Sequence, residues 1–122
     1  MESLLRSRLI DDFQLVDIHL QSRATGMLAS LLKCLMREAP GRKIVLIPTV
    51  TCTSLVHACL AVGATPKFYN SNSEDLNGST QEASALVRKF AGKIVMVVGI
   101  HQFGNWHDLR DLFSLCKMQE IT

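Results

Sequence analysis

Two apolar runs constrain this chain more than anything else in it: IVLI at residues 44–47 and IVMVVGI at residues 94–100. Both are continuous instead of alternating, which suits strands covered on both faces, as in parallel sheets. Before the first run, QSRATGMLASLLKCLMREAPG repeats Ala24, Met27, Leu28, Leu31, Leu32, Leu35 and Met36 at helical spacing. Ser22 or Thr25 is the expected cap of that helix, and Pro40-Gly41 its stop. Pro48 ends the first strand. Thr51 or Thr53 then caps a helix running to about Val62, with Leu55, Val56, Cys59 and Leu60 as its apolar stripe and Gly63 as its stop. TPKFYN reads as a short strand and SNSEDLNGS as a polar loop. Ser79 followed three residues later by Glu82 forms a capping box for a helix to about Ala91, closed by Gly92. After the second run, HQFGNWHD turns into a last helix that opens near Asn105 or Asp108. Leu109, Leu112, Phe113 and Cys116 line it. Residues 1 to about 19 have room for a short amphipathic helix.

Helices and strands that alternate in this way predict an α/β fold. The sheet is mostly parallel, has right-handed crossovers and carries helices on both faces, giving an incomplete three-layer α/β/α arrangement. At 122 residues the chain suits a single domain, with residues 1–20 as a variable leading segment and 21–122 as the α/β unit. The ending FSLCKMQEIT reads as a helix end followed by the approach to another strand. Ligands of such sheets sit beyond the carboxyl ends of the strands. The turns expected there are PTVTCTS after the first run and HQFGNW after the second.

Composition removes several function classes. Hydrophobic residues make up 48% of the chain and charged residues 20%, a folded composition. A net charge of +2, scattered along the sequence, gives no footprint for nucleic acid or an anionic membrane. The longest apolar run is too short to cross a bilayer. MESLLRSRLIDDF threads charges through its apolar residues, unlike a secretory signal. Four cysteines and four histidines show no zinc-like spacing, so no metal is expected. Cys34, Cys59 and Cys116 lie in apolar helical stretches, where reduced cysteine packs as a small hydrophobe. A reducing, cytoplasmic setting follows.

Few motifs carry chemistry outright. There is no GxGxxG, GxxxxGK[ST] or G-x-S-x-G, and no Ser-His-Asp set can be assembled by spacing. SRATGM places small and hydroxylated residues at a helix start, where free N–H groups and the helix dipole favour a phosphate. The same residues equally make an ordinary cap. His101 follows a buried strand at the carboxyl edge, as either a ligand-facing group or a histidine satisfied by the loop. His57 reads as a packing or surface residue. Trp106 and His107 form either a ligand-stacking wall or a plug for the sheet edge. Cys52 at a helix start is a candidate nucleophile with His101 as its base.

The ordered set Gly41, Ile47-Pro48, Thr49 to Ser54, Gly63-Ala64-Thr65-Pro66-Lys67-Phe68, His101-Gln102-Phe103-Gly104 and Asp108 resembles the DegT/DnrJ/EryC1/StrS-type sugar aminotransferases over about residues 22–117. The resemblance implies the N-terminal half of a fold-type I large domain and pyridoxal phosphate as cofactor. It places Ser22, Arg23, Ala24, Thr25, Cys52 and His101 at the cofactor site. Cys52 stands where the family has an aromatic residue stacked on the pyridine ring, and Asn70 where it has an acid. The family's pyridine-nitrogen Asp and cofactor-binding Lys would fall beyond Thr122. The implied function is therefore part of an aminotransferase for nucleotide-linked keto-sugars that does not transaminate alone. It would act as a homo-oligomer, or with a second chain or a missing C-terminal half. The other class open at this point is a non-catalytic α/β binding or oligomerisation domain.

Overall fold

Central to the fold is strand β1 (Ile44–Pro48), flanked by β2 (Thr65–Tyr69) and β3 (Ile94–Val97) in the order β2-β1-β3, both neighbours parallel to it. The structure, a computed structural model, describes residues 2–13 and 22–122. Val45 to Pro48 are buried, as the unbroken apolar run requires of a strand with neighbours on both sides.

Helices cover both faces, so the expected three-layer α/β/α arrangement is present. Leu46 points into a core with Tyr69 and Ile94, closed by Ala83 and Val87 of α4 (Thr80–Phe90) and Leu112, Leu115 and Cys116 of α5 (Arg110–Met118). Val45 and Ile47 point the other way, onto Leu32 of α2 (Ala24–Glu38) and Cys59 of α3 (Thr53–Ala61). Val95 and Met96 both join this second core, which a regular strand forbids. The register shift opposite Ile44 and Val45 accounts for it. A further helix, α1 (Glu2–Phe13), leaves Leu4 and Leu5 exposed. The part of the expected N-terminal helix beyond Phe13 lies outside the described residues.

Helix starts depart from the sequence expectation by a residue. Arg23 is the N-cap of α2, so Ser22 comes too early and Thr25 sits inside the first turn. Cys52 is the N-cap of α3, between the two threonines expected to cap it. Neither helix has a side-chain cap bond. Ser79 does cap α4, accepting from the Glu82 N–H at 3.3 Å. The reciprocal half of the capping box is absent, because the Glu82 carboxylate instead accepts from the Asn70 N–H at 2.8 Å and the Ser79 N–H goes to the Asn70 carbonyl. Leu109 caps α5, while the Asp108 carboxylate accepts from the Arg110 N–H.

The apolar stripes are narrower than the periodicity suggests. Met27, Leu31, Leu60 and Phe113 are exposed, and Ala58 and Leu115 are buried. Small Ala58 and Cys59 let α3 approach the sheet closely, which leaves Leu60 facing outward. Cys34 is likewise exposed, against the expectation that it packs in the core. Two long-range bonds secure the frame. Tyr69, 2% exposed, donates its hydroxyl to the Val98 carbonyl at 2.6 Å, tying β2 to the end of β3 across β1. The Arg42 guanidinium donates to the Gln119 and Glu120 carbonyls at the end of α5. Beyond α5, the Thr122 carbonyl accepts from the Val97 N–H at 2.7 Å, on the β3 edge away from β1. Among the described residues no helix is long and apolar enough to cross a membrane.

Candidate functional site

Three turns leave the carboxyl ends of the three strands, and side chains stitch them together. The turn after β1 meets the loop after β2 through Thr49 and Ser71. The Ser71 N–H donates to Thr49 Oγ1 at 3.1 Å, and the Val50 N–H donates to Ser71 Oγ at 3.2 Å. The loop after β2 meets the loop after β3 through Asn77, which is wholly buried. Its Oδ1 accepts from the Gln102 N–H at 2.8 Å, and its Nδ2 donates to Asp75 Oδ2 at 3.1 Å and to the Asn105 carbonyl at 3.4 Å. Gln102 closes the triangle, donating its Nε2 to the Val50 carbonyl at 2.7 Å. Asn105 adds a bond from Nδ2 to the Asp75 carbonyl at 3.2 Å.

The sequence candidates distribute around this triangle. His101 is exposed at the end of β3, and its Nδ1 accepts from the His107 N–H at 3.0 Å. Cys52 is exposed at the N-terminus of α3, where its thiol accepts from Ser54 Oγ at 3.1 Å. That hydrogen bond holds the thiol below its ordinary pKa. Thus Cys52 and His101 each bond elsewhere, and no Cys–His pair forms between them. Ser22, Arg23 and Ala24 are exposed at the start of α2 and Thr25 is half-buried. The short connection from α2 to β1 reverses the chain, so this helix start lies toward the carboxyl edge as well.

Trp106 is 76% exposed and Phe103 80% exposed, so neither plugs the sheet edge. Phe103 takes a left-handed backbone, φ +52°, which a bulky side chain adopts only where its surroundings impose it. Asp75 is held below the usual carboxylate range by the Asn77 side chain and N–H. Asp108 is brought down to about 2 by Arg110. Among the described residues no cluster of His, Cys, Asp or Glu is arranged to hold a metal ion.

Sequence reasoning passed over Ser71 and Asn77, and met Gln102 only within the family motif and Asn105 only as a helix start. The polar loop SNSEDLNGS was legible only as a loop. Its one local signal is Asp75-Leu76-Asn77, where the aspartate accepts from the N–H two residues on.

Two ends of a pyridoxal phosphate molecule can be tested against these residues. The phosphate end fits. Helices α2 and α3 both start without a side-chain cap, and Thr51 Oγ1, one residue before the N-cap of α3, is buried without a hydrogen-bond partner among the described residues. The ring end does not fit. A thiol at Cys52 offers no stacking face. Lys43 and Lys93 directly precede β1 and β3 at the opposite edge. Lys89 and Lys117 lie in the last turns of α4 and α5, and the Lys67 amine rests 4.9 Å over the Phe90 ring. Lys33 lies within α2. No catalytic step through the cofactor is therefore derived for this chain.

The comparisons with known proteins agree with the architecture. PseC of Helicobacter pylori, an aminotransferase involved in pseudoaminic acid biosynthesis, superposes with a TM-score of 0.80 at 18% identity, over 98% of this chain and 31% of its own. The sugar aminotransferase Spr1654 of Streptococcus pneumoniae gives 0.78 at 21% identity in its PLP form, over 95% of this chain and 28% of its own. CalS13 of Micromonospora echinospora, a sugar aminotransferase, gives 0.64 at 23% identity, over 78% of this chain and 25% of its own. The chain thus spans under a third of the length of the solved structures it matches. No curated protein matches it by sequence. Residues 18–122, all of the α/β unit and every strand turn described above, match one family along their length: the chain belongs to the DegT/DnrJ/EryC1/StrS aminotransferase family.

Proposed function

We propose that residues 21–122 form the phosphate-facing part of the large domain of a pyridoxal phosphate-dependent aminotransferase for nucleotide-linked keto-sugars, preceded by a variable segment at 1–20. The carrying observation is the meeting of three strand turns at one edge, with two uncapped helix starts and the unpartnered Thr51 hydroxyl. Ser22, Arg23, Ala24 and Thr25 contact the phosphate; Cys52 and His101 flank the ring. Bound pyridoxal phosphate supplies an electron sink, provided that a carboxylate keeps its ring nitrogen protonated and a lysine holds it covalently. With its six lysines placed as described, this chain does not transaminate by itself. It works in a cytoplasmic homo-oligomer or with a further polypeptide part that brings the acid and the lysine.

Titration of the purified chain with pyridoxal phosphate, followed by borohydride reduction and peptide mapping, tests this. The expected result is saturable binding without stoichiometric labelling of any one lysine. Complete labelling of a single lysine overturns the non-catalytic part of the reading. Absence of saturable binding overturns the cofactor site and favours a scaffold or oligomerisation domain.

A further inference from the structure

We infer that Asn77 and Gln102 are positioning residues: they clamp the loop after β3 onto the other two strand turns, and so present His101 as a hydrogen-bond donor of fixed orientation to an oxygen of an anionic ligand. In the donor role the inference rests on the reading of this edge as a ligand site. The clamp itself rests on geometry alone.

The His107 N–H donates to His101 Nδ1 at 3.0 Å, so in the neutral imidazole Nδ1 carries the lone pair and the proton sits on Nε2. With His101 exposed at the carboxyl edge, that Nε2–H is free to meet a ligand oxygen. The arrangement holds only if residues 101 and 107 keep their spacing, and backbone bonds secure only one 3-10 turn of that loop, Gln102–Gly104. Asn77 fixes the spacing. It grips one side of the loop at the Gln102 N–H and the other at the Asn105 carbonyl. Asn77 is itself held by both oxygens of Asp75, at 3.0 and 3.1 Å. Gln102 then fastens the loop to the Val50 carbonyl, one residue from Thr51 and two from Cys52. The strained Phe103 backbone between these anchors marks a loop conformation imposed by its partners. A buried side-chain amide whose oxygen and nitrogen are both engaged, across two loops, specifies one arrangement and leaves alternatives with unsatisfied polar groups.

The test uses the whole 122-residue chain, ¹⁵N-labelled, as wild type, Asn77→Ala and Gln102→Ala. The imidazole nitrogen shifts of His101 report which nitrogen carries the proton in the neutral ring. Wild type should show the proton on Nε2. Asn77→Ala should show a mixture of the two tautomers, whereas Gln102→Ala, which leaves the Asn77 bonds in place, should keep the proton on Nε2 with its thermal midpoint close to wild type. Pyridoxal phosphate should bind each variant about tenfold more weakly. A merely structural role would lower the midpoint and leave the tautomer of the folded chain unchanged, which overturns the inference. If Asn77→Ala does not fold, Asn77→Ser, which keeps a polar group for Asp75 and loses the reach to the loop, decides in its place. If wild type binds no pyridoxal phosphate while the tautomer shifts as expected, the cofactor reading falls and the clamp stands.

Discussion

Substituting Gly78 by alanine isolates the packing that holds the strand ends together. Gly78 is buried and its backbone is not left-handed, so alanine meets no conformational penalty there. The penalty is steric. A Cβ at this position would overlap Tyr69 Cε2 and stand 2.9 Å from Cζ and 3.0 Å from Pro48 Cβ. Neither neighbour gives way easily. Pro48 lies in the central strand, and the Tyr69 ring is pinned through its hydroxyl to Val98. The glycine backbone is itself paired with Ser71. Overpacking of a closed site costs about 1–3 kcal/mol. With a urea slope of roughly 1–3 kcal/mol/M, Gly78→Ala should lower the unfolding midpoint by about 1 M. Urea unfolding followed by tryptophan fluorescence and circular dichroism measures it. In a Tyr69→Leu background, where no atom occupies the Cε2 position, the same substitution should cost less than about 0.5 kcal/mol. Equal costs in the two backgrounds, or a wild-type cost below about 0.5 kcal/mol, would refute the clash.

Two further measurements probe the same edge. Cys52 should be the most reactive of the four thiols towards iodoacetamide near neutral pH, because it is exposed and the Ser54 hydroxyl favours its thiolate. Ser54→Ala raises the thiol pKa, lowers the thiolate fraction and so slows the reaction, whereas Cys59 and Cys116, buried and with pKa values pushed up by desolvation, stay unreactive until the chain unfolds. Tyr69 is the only tyrosine, so the phenolate absorbance reads it alone. Burial raises its pKa from 10 to about 12, so its titration should appear near pH 12 in the folded chain. A raised folded pKa means that the linked stability is fully present below pH 10 and is lost as pH rises through about 12. A midpoint near 10 under folding conditions would contradict the buried ring.

What was legible in the sequence depended on the range of the interactions behind it. The run at 44–47 announced a covered strand because burial on both faces leaves no polar position in it, whereas the run at 94–100 did so only as far as Val97, where β3 ends and burial falls. The Ser79 cap was legible because it needs only a hydroxyl and an N–H three residues away. The cap of α3 was misplaced by one residue because Thr51, Thr53 and Ser54 offer equivalent hydroxyls in succession. No side-chain cap bond singles out Cys52 at the helix start. The clamp was not legible at all. Gln102 meets Asn77 across 25 residues and Val50 across 52, and a side-chain amide carries no periodic trace of such a partner. The family resemblance pointed to His101 by position, but the bond that selects its Nδ1 comes from a backbone N–H, to which sequence identity is blind.

The polarity of the parallel sheet explains why hydroxyls and helix starts gather at one edge of this chain and most of its basic side chains at the other. In such a sheet every strand carries its hydroxyl and amide turns to one edge and receives its helix ends at the other. Here the helix ends bring the amines. Arg88 and Lys89 close α4, Lys93 precedes β3 and Lys117 closes α5. These placements suit the helix dipoles, which favour cations at carboxyl termini. They also set the amines apart from the turns by the length of a strand, about 16 Å for five residues. The helix starts at the other edge supply N–H groups suited to a phosphate. At the β3 edge away from β1, the Thr122 carbonyl accepts from the Val97 N–H, so the segment after α5 returns to the sheet beside β3.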